Sequence, residues 1–347
     1  MQNELLAGVE TWDKLKILRF KVNERELERW VPLQLSICEG IMPSVEDQLV
    51  WFSESVNSTD LYRYLAKNSN NFKLIFFAPY LFGTTFWGSL INTEKACLIP
   101  CLHDENYAYT DVVGSMFRQV GKAFFNSLPE MELAKSLYGD LHCSVVGMGF
   151  NLEDYDNTGY SHPYFEEQFP YILYIGRKET GKNVQLLIDY FITAKENAKI
   201  ENNVKLIIAG GGDFSDLGRD EAILRKDVID LKQVTEEEKF RLIKNALFLC
   251  QPSTNESFSI VLMEAWALST PVVVAADCSV TRHHVTESGG GLYFRGAREF
   301  ALIVNKMAGN HNLCQKLAKA GKRYVAEEYC WEAVTSRFDQ AVQKICT

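Results

Sequence analysis

No pair of cysteines stands at C-x-x-C spacing and no histidine lies at ligand distance from one, although nine cysteines are scattered along the 347 residues. This spacing excludes a zinc ribbon and a redox dithiol. Cys250 and others lie inside apolar stretches, where cysteine behaves as a small hydrophobe, so a reducing compartment is expected. Positive charge is also short: 36 Lys and Arg stand against 45 Asp and Glu, a formal net charge of -9. Nucleic acid is therefore not an expected partner. No apolar run approaches the length of a membrane span, and no basic-plus-apolar leader opens the sequence. A cytoplasmic chain without a transmembrane segment is expected, with peripheral membrane contact left open. Two Asn-x-Ser/Thr patterns, at Asn57 and Asn255, fit that reading, because a glycan at Asn255 would block the site described next. The G-x-G-x-x-G spacing is absent as well, which leaves Gly210-Gly211-Gly212 a weak phosphate signal by itself.

What is present is a soluble, core-rich composition, 47% hydrophobic and 23% charged, with length for two domains. The pattern is sharpest around Asn255 to Leu268. The apolar run Ala246 to Gln251 reads as a buried strand, a short polar loop follows Pro252, and the helix after it is wedged before a second strand, Pro271 to Ala275. Ser257 or Asn255 is expected to cap that helix, leaving the N–H groups of Phe258, Ser259 and Ile260 to hold an anion. Glu256 then stands at the helix mouth, and Glu264 about two turns further in on nearly the same face. Both suit hydroxyl groups of a ribose or a sugar. The blander reading is that the dipole alone favours Glu at a helix start.

Around this stretch the second half alternates strand and helix. Strand Tyr171 to Gly176 leads to a loop with Arg177 and Lys182, then to a helix from Val184 to Ala198 whose residues Val184, Leu187, Ile188, Phe191 and Ile192 keep one apolar face. Strand Val204 to Ala209 ends in the glycine run, helix Glu236 to Asn245 precedes the Ala246 strand, and Gly291 to Phe294 is a further strand. Helices over 298–307, 312–324 and 331–344 close the chain. This is a doubly wound α/β domain. Arg177 and Lys182 facing a helix N-terminus form a diphosphate clamp.

The first half is less regular. A strand is expected over 15–22 and two helical pieces over 48–65, parted at Asn57-Ser58; the charged run Asn23 to Trp30 is a solvated face. Buried strands follow over 73–79 and 96–102, with a loop from Tyr80 to Gly88 between them. The second strand delivers His103 at its carboxyl end, where open parallel sheets bind ligands. A helix over 111–120, strands over 122–127 and 143–149, and a helix over 128–137 complete it. The expected division is 1–150 for the first domain, 151–169 for a polar linker, 170–330 for the second domain and 331–347 for a C-terminal helix that packs back on the first. Asp154-Tyr155-Asp156 is read as solvated linker, not as a metal-binding Asp-x-Asp.

On Ile175-Gly176-Arg177 with Lys182, Ala209 to Asp213, Glu256 with Glu264, and Pro271 to Val274, the chain resembles the retaining glycosyltransferases of family 4 over residues 170 to 340. The resemblance implies the GT-B fold of two facing doubly wound Rossmann-like domains. It implies that Arg177 and Lys182 bind the donor diphosphate, that Glu264 binds the ribose and Glu256 the donor sugar, and that Gly176, Gly211, Phe258, Ser259 and Ile260 also belong to the donor site. Val234 would lie in the loop holding the base, and His103 would reach the donor sugar. Catalysis would rest on Glu256, Arg177, Lys182 and His103. Family members usually have Gly where Ser259 stands. They also open with a strand and a Gly-rich loop, and Met1 to Trp12 reads as neither, so the first domain is expected to be shortened, with residues 12 to 22 matching a strand from deeper in that domain.

The implied function is a nucleotide-sugar-dependent retaining hexosyltransferase with UDP-glucose or a similar donor, in polysaccharide or glycolipid synthesis, acting on a saccharide or lipid-linked saccharide. No metal is required, and the nucleotide sugar is a co-substrate. The alternatives are a nucleotide-sugar-binding protein without an acceptor site and a sugar-nucleotide epimerase, which would want further acidic and His residues.

Overall fold

The computed structural model describes residues 5–156 and 158–346. Its contacts divide the chain into two compact units, Met1–Val146 with Arg337–Thr347, and Gly147–Ser336.

The first unit opens with an antiparallel hairpin of β1 (Gly8–Trp12) and β2 (Leu15–Arg19), turning at Asp13 with φ 54. This corrects two expectations. A strand does occur before residue 12, and the strand expected over 15–22 stops at Arg19 and pairs only with β1, apart from the parallel sheet. The reason is the left-handed turn at Asp13, which folds the Val9-Glu10-Thr11-Trp12 alternation back on Leu15 to Arg19. Three helices follow: α1 (Leu27–Cys38), α2 (Val45–Ser53) and α3 (Thr59–Asn68). Ser44 and Ser58 cap the last two through their side chains. Asn57, at the break between them, is buried and donates to the carbonyls of Phe52, Ser53 and Ser55.

Next come β3 (Ile75–Phe77), α4 (Gly83–Ser89), β4 (Ala96–Leu98), α5 (Asp111–Val120), β5 (Lys122–Phe125), α6 (Leu128–Tyr138) and β6 (His142–Val145). The four strands form a parallel sheet in the order β3-β4-β5-β6. The stretch expected as a loop from Tyr80 to Gly88 contains α4 instead. Its first residue must be small, because a Cβ on Gly83 would lie 2.3 Å from Asn57 Oδ1, and Thr85, Phe86 and Gly88 are buried. Loop residues rarely bury that much, and here the burial selects helix. The core gathers Ile37, Trp51, Phe52, Phe86, Met116 and Phe117.

The second unit begins before its first strand. Tyr155 and Tyr160, in the segment expected as a linker, pack their rings on Phe240 at 5.1 and 5.3 Å, and Arg241 and Asn245 hold the carbonyl of His162. Residues 147–169 thus belong to this unit because their aromatic rings find an apolar surface. Then follow β7 (Tyr171–Ile175), α7 (Val184–Glu196), β8 (Lys205–Ala209), β9 (Val228–Lys232), α8 (Glu236–Asn245), β10 (Phe248–Gln251), α9 (Ile260–Ala267), β11 (Val272–Ala275), α10 (Ser279–Ser288), β12 (Gly291–Phe294), α11 (Ala297–Ala308), α12 (His311–Glu328) and α13 (Trp331–Cys346). The last helix begins in the second unit and ends in the first. All six strands are parallel, in the order β12-β11-β10-β7-β8-β9. Val184, Leu187, Ile188 and Phe191 of α7 are fully buried on this sheet, as their spacing requires.

The order carries a consequence. From β7 the sheet runs outward to β8 and β9, and on the other side from β10 to β11 and β12. The reversal lies between β7 and β10, and the crevice at the carboxyl ends of strands at such a switch point is where open α/β sheets bind ligands. Both units thus carry a parallel sheet flanked by helices.

Candidate functional site

The loops leaving β7 and β10 carry the residues singled out by sequence. Gly176 follows β7 with φ 157, and Gly210 follows β8 with φ 135. A Cβ on Gly210 would sit 2.0 Å from the carbonyl oxygen of Gly176, so the two loops touch backbone to backbone. Only glycine allows that approach. Beside them a Cβ on Gly211 would meet nothing within 4 Å, so the chain is open on that side of Gly211. A cavity of about 510 Å³ is lined here by Arg177, Lys178, Glu179, Thr180, Gly211, Gly212 and Asp216.

Lys178 was not foreseen and holds this corner together. Its side chain is wholly buried, its Nζ lies 3.0 Å from Asp230 Oδ1 on β9 and also donates to the carbonyl of Gly210, and its N–H donates to the carbonyl of Gly211 at 2.8 Å. Burial pushes the Asp230 carboxyl up, but the Lys232 N–H and the Lys232 and Lys178 ammoniums outweigh it and hold it below its usual value. In sequence, Lys178 is one more cation beside Arg177. The partner that buries it is 52 residues away on a strand, Val-Ile-Asp-Leu-Lys, whose charges disguise it.

The other wall is the loop after β10. Lys182 Nζ donates to Glu256 Oε1 at 2.9 Å, and Gln251 Nε2 donates to the same oxygen at 3.1 Å. The structure therefore brings Lys182 and Glu256 together, across 74 residues of sequence. Arg177 does not join them: its side chain is 71% exposed and pairs with Glu179 at 2.7 Å. Asn183 Nδ2 donates to the carbonyl of Pro252 at 3.2 Å, which ties the two loops.

The helix start differs from the expectation. α9 begins at Ile260, not near Phe258, and its N-cap is Ser259 at φ 71, without a capping bond from its own side chain, rather than Ser257 or Asn255. Phe258 turns inward instead, 2% exposed, against His284, Tyr329 and Phe150, and that anchoring draws the preceding residues off the helix. Glu256 consequently lies in the loop, and Glu264 only one turn into the helix. The first-turn N–H groups of Ile260 and Val261 have no acceptor within the helix by geometry, and Ile260 is half exposed. A left-handed conformation costs a non-glycine residue about 1–2 kcal/mol. The Ser259 hydroxyl oxygen is buried and has no hydrogen-bond partner among the described residues, as is true of Ser253 Oγ and Gln251 Oε1 nearby. Three orphaned polar atoms around one loop fit a site that completes its hydrogen bonds with a polar ligand.

Glu264 is 8% exposed, and its Oε1 accepts from Lys239 Nζ at 2.7 Å. Burial pushes its carboxyl above the usual range although Lys239 pulls it down. Val234 is half-buried in the loop between β9 and α8. Thr235 there forms a capping box with Glu238. His103 belongs to the first unit, beyond the carboxyl end of β4, with Nδ1 3.7 Å from Glu105. Among the described residues no group of three or more His, Cys, Asp or Glu could hold a metal ion, and no helix is long and apolar enough to cross a membrane.

Residues 162–324 match the model of the family described as glycosyl transferases group 1. Over 169 residues the chain is 30% identical to an uncharacterized glycosyltransferase of Methanocaldococcus jannaschii, covering 47% of this chain and 42% of that protein. Over 181 residues it is 29% identical to the phosphatidyl-myo-inositol mannosyltransferase of Mycobacterium leprae, covering 51% and 47%. The chain thus spans less than half the length of these two relatives. A lipopolysaccharide 1,2-N-acetylglucosaminetransferase of Salmonella typhimurium is 23% identical over 349 residues, 93% of this chain and 81% of its own. Among solved structures, sucrose-phosphate synthase of Thermosynechococcus elongatus superimposes with a TM-score of 0.71 at 17% identity over 97% of this chain and 85% of that one. HepE of Anabaena, in complex with UDP and glucose, gives 0.65 at 14% identity over 82% of each. At these identities the structural likeness speaks for the fold alone.

Proposed function

The second unit of this chain belongs to the glycosyl transferases group 1 family, and on that premise we propose that the protein transfers a hexosyl group from a nucleotide diphosphate sugar to a hydroxyl with retention of configuration. The observation that carries this reading is the meeting of Lys182 with Glu256 at the switch point between β7 and β10, beside the open side of Gly211 and the start of α9. Cation, helix start and open N–H groups suit a diphosphate, while Glu256 and Glu264 suit hydroxyl groups.

In the proposed reaction the bond from the anomeric carbon to the diphosphate oxygen breaks as a bond forms to the acceptor oxygen, and the acceptor's proton passes to the leaving phosphate on the same face. Negative charge grows on the diphosphate, and Lys182, Arg177 and the N–H groups of Ser259 and Ile260 stabilise it. Arg177 would have to leave Glu179, a weak tie at its exposure. We assign Glu264 to the ribose, Glu256 and His103 to the donor sugar, and Val234 to the loop at the base. These cations carry the charge without a metal in this reading. UDP-glucose is the leading donor, because the Anabaena fold neighbour binds UDP and glucose. A saccharide or lipid-linked saccharide is the acceptor, as the names of the Mycobacterium and Salmonella relatives suggest.

Calorimetric titration with uridine, guanosine and adenosine diphosphate sugars, on the native chain and on Glu264→Ala, tests the reading. Binding of one donor that is lost in the variant is the expected result. If no donor binds, the reading is wrong. Donor binding without sugar transfer or donor hydrolysis would favour a nucleotide-sugar-binding protein instead.

A further inference from the structure

Glu130 is 1% exposed and takes no part in the site above. In sequence, Ser127-Leu128-Pro129-Glu130 opens α6 as a capping box, in which the Glu carboxylate would serve its own helix. Ser127 Oγ does accept from the Glu130 N–H at 3.3 Å. The carboxylate, however, does more. Its Oε2 accepts from the Asn126 N–H at 2.6 Å, just past β5, while its Oε1 leaves the helix and accepts from the Leu102 N–H at 2.6 Å, beyond the neighbouring strand β4. One side chain thus ties the loops at the carboxyl ends of two adjacent strands, and the tied residue of the first loop immediately precedes His103.

The backbone at that point is strained. Cys101 has φ 54, a left-handed conformation that a non-glycine residue holds only when its surroundings over-determine it. The next N–H in the chain is the one Glu130 binds. On the far side of His103, Glu105 is fixed by the buried Tyr80, whose hydroxyl donates to its Oε1 at 2.9 Å, and the Glu105 N–H donates to the His103 carbonyl at 3.0 Å. The turn carrying His103 is therefore pinned at both ends. Burial raises the Glu130 carboxyl to about 8 while main-chain N–H groups of Asn126, Leu102 and Ser127 pull it down. Each of its oxygens accepts from a main-chain N–H, so the one carboxyl bridges the two loops through its acceptor atoms.

We propose that Glu130 is a positioning residue: through Leu102 it sets the place of His103, and thereby the rate at which the donor sugar departs, without touching substrate. The inference rests on the role proposed above for His103. It is tested by a double-mutant cycle on the full chain, measuring UDP release from UDP-glucose by wild type, Glu130→Gln, His103→Ala and the double variant. Gln has a single acceptor oxygen, so it keeps only one of the two loop bonds. The expected result is a kcat lowered about tenfold in Glu130→Gln with KM for UDP-glucose within about twofold, and no further loss when it is added to His103→Ala. A wild-type kcat in Glu130→Gln, or losses that multiply in the double variant, would overturn it. A fully active His103→Ala would instead sink the role assigned to His103, and the inference with it. Should Glu130→Gln fail to fold, Glu130→Asp replaces it in the cycle, keeping the charge at the cap but one methylene short of Leu102.

Discussion

Replacing Lys178 by alanine is expected to destabilise the second unit and to loosen the donor loops in one step. Its ammonium is wholly buried, 3.0 Å from Asp230, whose side chain is itself 9% exposed. Removing one partner of a buried pair costs about 3–5 kcal/mol, because the other charge is left in a poor solvent. Asp230 would keep Lys232 at 3.0 Å, a cation 54% exposed, so about 3 kcal/mol is the figure to expect. For a unit the size of Gly147–Ser336, each kcal/mol moves the midpoint by about 2–4 °C, so scanning calorimetry should show a fall of roughly 6–12 °C. Lys178→Met combined with Asp230→Asn removes both charges and should recover most of it. The pH dependence has a definite sign. Asp230 has a folded value held below its unfolded one, so its contribution is present above the unfolded value of about 3.9 and is lost as pH falls through the folded one. The Lys178→Ala unit should therefore lose less stability between pH 5 and the acid limit, about pH 2, than the native one. A midpoint within about 2 °C of wild type, or a double variant no better than Lys178→Ala, would refute the reasoning.

Lys182→Ala should weaken UDP binding about tenfold or more, one charge-assisted bond, while leaving uridine, which has no diphosphate, within twofold; calorimetric titration of both ligands checks this, and an equal loss for both would mean a collapsed site. Ser259→Gly removes the left-handed strain of about 1–2 kcal/mol and should raise the thermal midpoint by a few degrees. If the orphaned Ser259 hydroxyl completes its bond with the diphosphate, the same variant should also bind UDP several-fold more weakly, and a more stable protein with unchanged affinity would reject that bond. Glu256→Gln releases Lys182 from its carboxylate and should tighten UDP while slowing sugar release from UDP-glucose; looser binding of UDP would show that Glu256 orients Lys182 rather than competes for it.

Periodicity made most of the second unit legible. The apolar face of α7 and the pure Val run of β11 leave a single assignment each, and Pro and Gly mark their ends. What escaped was coded by partners distant in sequence. β9 carries Asp230, whose two oxygens pair with Lys178 and Lys232, so it reads as polar until Lys178 is seen to bury that charge. α10 begins with Ser279 and holds Arg282, His283 and His284, a polar string whose His284 is nevertheless fully buried against Phe258 and Tyr324. Burial pulls that imidazole down to about 3, so it packs there as a neutral ring. The start of α9 was placed two residues early for the same reason: nothing local announces that Phe258 will turn into the core. In the first unit the left-handed Asp13 and the packing of Gly83 on Asn57 decided the hairpin and α4, and both are tertiary or turn effects that alternation cannot carry.

The site residues themselves were legible as types, but their charge states in the free protein were not. Sequence suggests open cations waiting for a diphosphate and open carboxylates waiting for hydroxyls. In the structure each is already matched: Lys182 with Glu256, Lys239 with Glu264, Lys178 with Asp230, and Arg177 with Glu179. A buried unpaired charge would cost several kcal/mol, so a folded site that excludes water must neutralise itself before a ligand arrives. Donor affinity is then a difference between two sets of bonds. The surrounding groups differ in how readily they exchange: Arg177 is exposed and free to move, Lys182 is partly exposed, and Lys178 is locked. That gradient sorts these three cations by physics into ligand-facing and structural. It is also why mutating Lys178 is expected to register first as stability, and mutating Lys182 first as affinity.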